Sequence, residues 1–253
     1  MYYARRRRRD SGSRVAALLA AAGIAGLLGV LWRLRAAPRT RTRRARSELP
    51  RSATRLDDVT ACDDDLQTLH GGTGPIFHRQ YEVELPGVTL GAATVVKILQ
   101  RNFSQLAPSI LARFEKTNGL DEHFRVGDEY EITMLGPWNG TVRVLELTPT
   151  SFTLATLDGH PEAGHITFSA ASQLNGPTHA RIESWARARD TVVQAAYDTL
   201  GVGKQVQTEA WVTFLHRLAR LVGVQETPEV RITDEEISGP SQSGADAGPA
   251  AND

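Results

Sequence analysis

Four side chains that can bind metals or transfer protons lie close together in the segment TLDGHPEAGHITF, residues 156–168: Asp158, His160, Glu162 and His165. They do not share one face of a helix, because Pro161 and Gly164 favour a turn. Asp158 and Gly159 form an Asp-Gly pair, which is a strong hairpin signal. The main prediction is therefore a tight turn between two strands, in which carboxylates bond to free backbone amides.

Two kinds of chemistry stay open for this turn. His160 suits a proton carrier because the ordinary pKa of an imidazole is about 6.5, and Glu162 and Tyr130 are further candidate proton donors. A metal site would need more ligands than the turn offers. Cys62 is the only cysteine, which excludes an internal disulfide and a cysteine-based zinc cluster. We therefore predict no metal site and no cofactor.

Charge divides the chain sharply although the formal net charge is zero. Residues 1–56 carry 15 arginines and only two acidic residues, Asp10 and Glu48. The basic segment has no interleaved aromatic residues and no nucleic-acid-binding motif, so we expect no specific contact with nucleic acid. Contact with anionic lipid headgroups is the simpler hypothesis.

An uncharged apolar run, VAALLAAAGIAGLLGVLW, occupies residues 15–32. Eighteen helical residues cover roughly 27 Å, which is close to the minimum for crossing a bilayer. We predict a single transmembrane helix here, with a cleaved signal peptide or a misplaced start codon as alternatives. The flanks carry six basic residues before the run and eight after it, which favours a cytoplasmic C-terminal domain.

The rest of the chain divides by composition into a folded domain and flanking segments. Residues 1–14 form a basic N-terminal segment, and residues 33–74 have no sustained apolar period and are predicted to be a flexible linker. Residues 225–253 are polar and acidic, and are predicted to be disordered. The folded domain is predicted to span residues 75–224.

Within that domain the patterns predict an α+β fold. A strand (77–85) precedes two short helices, around residues 89–103 and 109–119, and then four strands follow at hairpin spacing, each connected by turn-forming residues. A last strand leads at Asp190, a candidate helix cap, into the longest helical stretch. The strands are expected to form an antiparallel sheet that packs one face on this helix.

This order resembles the helix-grip fold of the START, Bet v and polyketide-cyclase (SRPBCC) superfamily over about 150 residues. The strings FTLATLDGHPEAGHITF and SWARARDTVVQAAYDTLGVGKQVQTEAWVTFLHRLARLVG are similar to an uncharacterised bacterial family of that superfamily. The turn Gly159, His160, Pro161 and Glu162 matches the glycine-histidine-proline-glutamate turn of that family, whereas His165 replaces a common acidic residue. The resemblance implies an apolar cavity between the sheet and the C-terminal helix, used in the superfamily for lipids, polyketides, hormones or aromatic rings.

The functional hypothesis is a membrane-tethered binding or carrier domain for a hydrophobic or amphipathic molecule such as a lipid. Its expected ligand-binding residues are Tyr130, Met134, Trp138, Phe152, His160, Phe168 and Trp185. A cyclase-like or hydrolase-like enzyme using the same cavity, and a protein-interaction module with a closed core, are the alternatives. The sequence leaves the ligand and the oligomeric state open.

Overall fold

One sheet of nine strands forms the framework of the domain, in the spatial order β1-β9-β2-β8-β7-β6-β5-β4-β3. The computed structural model describes residues 38–46, 53, 64–119, 124–134, 139–174, 176–200 and 202–237. Strand β1 pairs parallel with β9, and all other neighbours are antiparallel. The sheet is therefore mixed, which corrects the expectation of a purely antiparallel sheet.

The strands are β1 (Arg39–Arg46), β2 (Thr73–Leu85), β3 (Ala112–Asn118), β4 (Glu129–Met134), β5 (Asn139–Thr148), β6 (Ser151–Thr156), β7 (Glu162–Ser172), β8 (Thr178–Ala188) and β9 (Val230–Ile237). The helices are α1 (Ala92–Arg101), α2 (Phe103–Leu106), α3 (Thr191–Leu200) and α4 (Val202–Leu221). A short 3₁₀ turn (Leu69–Gly71) precedes β2. No helix in these described ranges is long and apolar enough to cross a membrane, and the predicted span 15–32 lies outside them.

The sheet curves around α4. Gln207 of α4 contacts Arg79 of β2, and Trp211, one helical turn later, packs against Phe114 of β3. Strands β2 and β3 are six steps apart in the sheet, which is about 29 Å if the sheet were flat. One helical turn advances only about 5.4 Å, so both strands reach α4 only because the sheet bends. The face toward α4 is called the concave face, and the opposite one the convex face.

An aromatic cluster fills the middle of the concave face. The ring of Phe103, in α2, has its centroid 5.0 to 5.9 Å from those of six other rings. These rings belong to Phe114, Phe124, Tyr130, Phe152, Phe168 and Phe214. Edge-to-face contacts of this kind stabilise a core beyond the burial of apolar area alone. The cluster joins the sheet to α2 and α4.

The convex face is polar over most strands and carries one buried cluster. Its centre is His78, whose ring stacks on Trp185 with a centroid distance of 3.6 Å. The two ring nitrogens of His78 lie 2.7 Å from Glu183 Oε1 and 2.8 Å from Glu235 Oε2. Ala53 and Leu69 cover this cluster from the chain before β2.

Three predicted segments differ from the structure. Residues 112–118, expected in a second helix, form the edge strand β3: the three-residue spacing of Leu111 and Phe114 suits a helix, but pairing with β4 decides. Residues 39–46 of the predicted linker form β1, and residues 230–237 of the predicted tail form β9. The two segments pair with each other, and opposite charges lie side by side in that pairing. The remaining linker and tail residues fall largely outside the described ranges.

Candidate functional site

The turn between β6 and β7 is held by polar contacts on both sides. Gln67 Nε2 donates to the carbonyl oxygens of His160 and Glu162, each at 2.8 Å. On the other side, Arg189 Nη1 donates to the Gly159 carbonyl at 2.8 Å, and the Arg189 backbone amide donates to Pro161 O at 3.0 Å. The predicted turn is thus present, and its backbone groups are bonded by chain segments distant in sequence.

His160 is buried inside this turn as a neutral imidazole. Its Nδ1 lies 3.0 Å from the Glu162 amide nitrogen, from which the neutral ring accepts a hydrogen bond. The ring lies over Gly140, where an added Cβ would come within 2.0 Å of His160 Cδ2. Burial lowers the pKa of His160 to about 4. A protonated ring would therefore lose its proton readily. However, His160 is only 5% exposed and its Nδ1 is bonded within the turn, so the ring is poorly placed to transfer a proton to a ligand.

The neighbouring Glu162 points into the concave face, where it meets a set of polar side chains. Arg79 of β2 is at its centre, with Glu162 of β7, Ser184 of β8, Gln207 of α4 and Asp234 of β9 around it; we call this set the Arg79 cluster. Gly164 and Ala186, which pair with each other, lie between Glu162 and Arg79 in the sheet.

Arg79 is buried without a full set of hydrogen bonds. The residue is 5% exposed, and among the described residues its guanidinium has one hydrogen-bond partner, the Gln207 side-chain oxygen. Glu162 Oε1 and Asp234 Oδ1 lie 3.9 and 4.0 Å from it, too far for hydrogen bonds. A guanidinium has five N–H donors, and the central carbon of this one lies 5.1 Å from the centre of the Phe77 ring. The donors of the Arg79 guanidinium that are not bonded to Gln207 can therefore bind the acceptor oxygens of a ligand.

Two more polar atoms of the cluster lack partners in the described part of the chain. Ser184 Oγ and Asp234 Oδ1 are buried without a hydrogen bond. Ser184 pairs directly with Arg79 across β8 and β2, so both side chains project from the same face of the sheet. Asp234 is held on its other oxygen by Arg41 Nε at 2.5 Å. A donor-acceptor hydroxyl thus stands beside the guanidinium.

Glu162 is a titratable group of the cluster whose surroundings change its pKa. Burial raises the pKa of its carboxyl, although Arg79 and a hydrogen bond from Gln207 oppose the rise. That hydrogen bond joins Gln207 Nε2 to Glu162 Oε2 at 3.1 Å. A carboxyl group that is protonated more easily than usual, beside a cation, can act as a hydrogen-bond donor or an acid.

Three of the predicted ligand-binding residues, Tyr130, Phe152 and Phe168, lie in the aromatic cluster. Phe152 and Phe168 are 0% exposed and stack on each other with centroids 4.9 Å apart. Burial and the nearby Asp128 carboxylate raise the pKa of Tyr130 to about 12, so its hydroxyl keeps its proton. A molecule that reached these side chains would have to move the rings apart.

The other predicted residues lie elsewhere. Trp185 and His165 pair with each other on the convex face, so the structure does not bring them to the space between the sheet and α4. Met134 is half-buried at the end of β4, and Trp138 lies outside the described residues. Within the ranges that the structure covers, no three His, Cys, Asp or Glu side chains are grouped to hold a metal ion.

Arg79 was not predicted, although its strand contains a signal for it. In FHRQYEVEL, the alternation places Phe77, Arg79, Tyr81 and Val83 on one face. A single arginine in an otherwise apolar row indicates a buried charge, which is rarely retained without a partner. The other members of the cluster come from four separate elements and share no local motif.

The class of protein follows from this geometry: an α+β domain whose mixed sheet curves around one long helix and encloses a polar cluster. Residues 90–229 match the family described as "Domain of unknown function (DUF1990)". This match covers more than half of the chain, and the protein belongs to that family. The expected membership in an uncharacterised family is thereby confirmed, whereas its restriction to bacteria stays an expectation. No curated protein sequence matches the chain.

Several solved structures are similar to the chain at low sequence identity. A conserved protein from Geobacillus kaustophilus is 16% identical, with a TM-score of 0.40 over 56% of this chain and 95% of that one. Norcoclaurine synthase from Thalictrum flavum, in complex with dopamine and hydroxybenzaldehyde, is 11% identical, with a TM-score of 0.38 over 60% of this chain and 87% of that one. The di-domain ARO/CYC StfQ from the steffimycin biosynthetic pathway is 12% identical, with a TM-score of 0.41 over 57% of this chain and 49% of that one.

Proposed function

We propose that this protein binds an amphipathic small molecule, such as a lipid, between the concave face and α4, and that residues 15–32 hold the domain at a membrane. The observation that carries the proposal is the buried guanidinium of Arg79, whose donors are mostly without acceptors among the described residues. Such a group suits the polar end of a ligand. The apolar end would lie against the neighbouring core side chains of the sheet and α4.

The arginines before and within β1 fit the same arrangement. Arg43 and Arg44 are exposed on the edge strand, close in sequence to the proposed membrane span. Basic side chains near a bilayer bind anionic headgroups by about 1 kcal/mol each. A domain held in this way lies close to the lipids of the bilayer. Its C-terminal part would be on the cytoplasmic side.

The test is to identify what the full-length chain carries. Wild type, Arg79→Met and the control Arg181→Met are purified in the same detergent, and co-purified small molecules are extracted and identified by mass spectrometry. Arg181 is a matched control because it lies on the convex face and is half-exposed, bound to Glu82. We expect one compound in wild type and R181M that is at least tenfold depleted in R79M. Equal recovery from all three proteins, or none from wild type, contradicts the proposal and favours an interaction module with a closed core.

An enzyme is the second candidate, and the raised pKa of Glu162 favours it. In this case Glu162, rather than the enclosed His160 or Tyr130, would transfer the proton. The discriminating variant is Glu162→Gln, which keeps the shape of the side chain but cannot give up a proton. A compound that accumulates in E162Q and differs in mass from the one in wild type indicates turnover. The same compound in both proteins indicates a carrier.

A further inference from the structure

The charges of the Arg79 cluster define the kind of polar group that it can accept. Arg79 and Arg41 face two carboxylates, Asp234 and Glu162. Asp234 is already bound by Arg41, both through Nε at 2.5 Å and through Nη2. The charge nearest to Arg79 that has no cation of its own is therefore Glu162. With both carboxylates ionised, the cluster taken together with Arg41 is neutral, and an incoming anion would leave one excess negative charge.

Excess negative charge in a largely buried place is unfavourable unless a proton compensates it. Glu162 is the group that can take this proton. Arg79 faces it from β2 and the uncharged Gln207 faces it from α4, while Ala188 is its uncharged neighbour on β8. Glu162 Oε1 and Arg79 form an ion pair at 3.9 Å and not a hydrogen bond, so protonation of Glu162 removes a charge attraction but breaks no hydrogen bond between them. The protonated carboxyl would become a donor beside the guanidinium.

We propose that the Arg79 cluster is the head-group site for a carboxylic acid, and that the carboxylate binds to Arg79 together with one proton taken up by Glu162. This inference rests on the proposed binding function. A guanidinium binds a carboxylate through two parallel N–H donors. Ser184 Oγ, buried and without a partner in the described part of the chain, supplies a further donor on the same face. A phosphate monoester carries up to two negative charges and would need a second free cation, whereas Arg41 is engaged by Asp234.

The test compares octanoate, octanol and octyl phosphate. Their binding to the full-length chain in phosphatidylcholine nanodiscs is measured by titration calorimetry, after removal of any co-purified ligand, with empty nanodiscs as blanks. Two buffers with different ionisation enthalpies report protons taken up on binding. We expect octanoate to bind at least tenfold tighter than octanol or octyl phosphate, with uptake of up to one proton. Arg79→Met should reduce octanoate to the affinity of octanol, and R181M should behave as wild type.

Glu162→Gln separates the two parts of the inference. It should bind octanoate without proton uptake, because the amide is already uncharged. Persistent uptake in E162Q overturns the role of Glu162. Three results would each overturn the proposal that the ligand is a carboxylic acid. These are equal binding of octanoate and octanol by wild type, tighter binding of octyl phosphate, and no binding of octanoate to protein stripped of its ligand. In these cases the proposed binding function still stands if a compound co-purifies with wild type and not with R79M. The binding function fails if no compound co-purifies with wild type.

Discussion

At the scale of single residues, His160 shows how a side chain that can transfer protons is used for structure. Its ring fills the space above Gly140, and its Nδ1 completes the hydrogen bonds of the turn. The same turn directs Glu162 into the Arg79 cluster. His160 and Glu162, which are both candidate proton carriers in the sequence, are therefore placed in different surroundings by the same turn.

The buried neutral ring makes stability depend on pH. The pKa of His160 is lowered to about 4 in the folded chain, against about 6.5 when unfolded. Between these values the unfolded chain binds a proton that the folded chain does not, so the contribution of His160 to stability falls as pH falls through this window and is constant below it. The loss is of the order of 3 kcal/mol for this residue. His160→Gln, which removes the titration, should flatten the pH dependence.

Denaturant unfolding of wild type and H160Q at pH values from 7.5 to 4 checks this expectation. The matched control is His70→Gln, because His70 is exposed on the 3₁₀ turn. H70Q should keep the slope of wild type. If H160Q and wild type lose stability in parallel from pH 6.5 to 4, His160 is not buried in the neutral form.

At the scale of elements, the edge strand β1 depends on charge rather than on apolar side chains. RTRTRRAR contains no apolar alternation, and it forms a strand beside VRITDEEI of β9. Arg39 also reaches across to α4, where its Nη1 lies 2.8 Å from Glu209 Oε1. Glu209 is only 2% exposed, so this ion pair fixes one end of β1 to the helix inside the core.

Removing one member of a buried ion pair leaves the other charge buried, which costs about 3–5 kcal/mol. Arg39→Gln should therefore lower the free energy of unfolding by roughly 3 kcal/mol, while the double variant R39Q/E209Q should recover part of that loss. Arg44→Gln, at an exposed position of the same strand, should change stability by less than about 0.5 kcal/mol. Equal small losses in R39Q and R44Q would show that β1 is not docked on α4.

The elements also show which parts of a fold can be predicted from sequence. Strands β4 to β8 follow from alternating apolar residues such as Phe152 and Leu154, and from the turn formers between them. The ambiguous strand β3 is decided by its neighbour β4, and β1 by β9. Because pairing with another strand decides these two elements, their own residues do not indicate that they form strands.

At the scale of the whole molecule, the curved sheet separates two environments along α4. The aromatic cluster fills the middle, and the Arg79 cluster lies where β2, β8 and β9 face the start of the helix. Members of the Arg79 cluster are far apart in the chain, from residue 79 to residue 234. The alternation in β2 could therefore indicate Arg79 alone and not the full cluster, whereas the apolar residues expected to bind the ligand could be read from single strands.

This separation predicts that stability and binding respond to different substitutions. Phe152 is fully buried, and its ring contacts those of Phe103 and Phe168 at 5.7 and 4.9 Å. Phe152→Leu should lower the free energy of unfolding by about 1–2 kcal/mol, because it leaves space in a close-packed cluster. It should still retain the co-purified compound, since the Arg79 cluster is unchanged. Arg79→Met, in which methionine keeps the packing of the aliphatic stem, should lose the compound while remaining folded.

Both quantities are measured on the same purified full-length samples, unfolding by circular dichroism and the bound compound by mass spectrometry. If F152L loses the compound under conditions in which it is fully folded, the ligand lies among the aromatic rings, as the sequence alone predicts. If R79M loses it and F152L keeps it, the polar end of the space is the binding site. The two substitutions thus locate the bound compound whatever its chemical identity, because each removes only one of the two environments along α4.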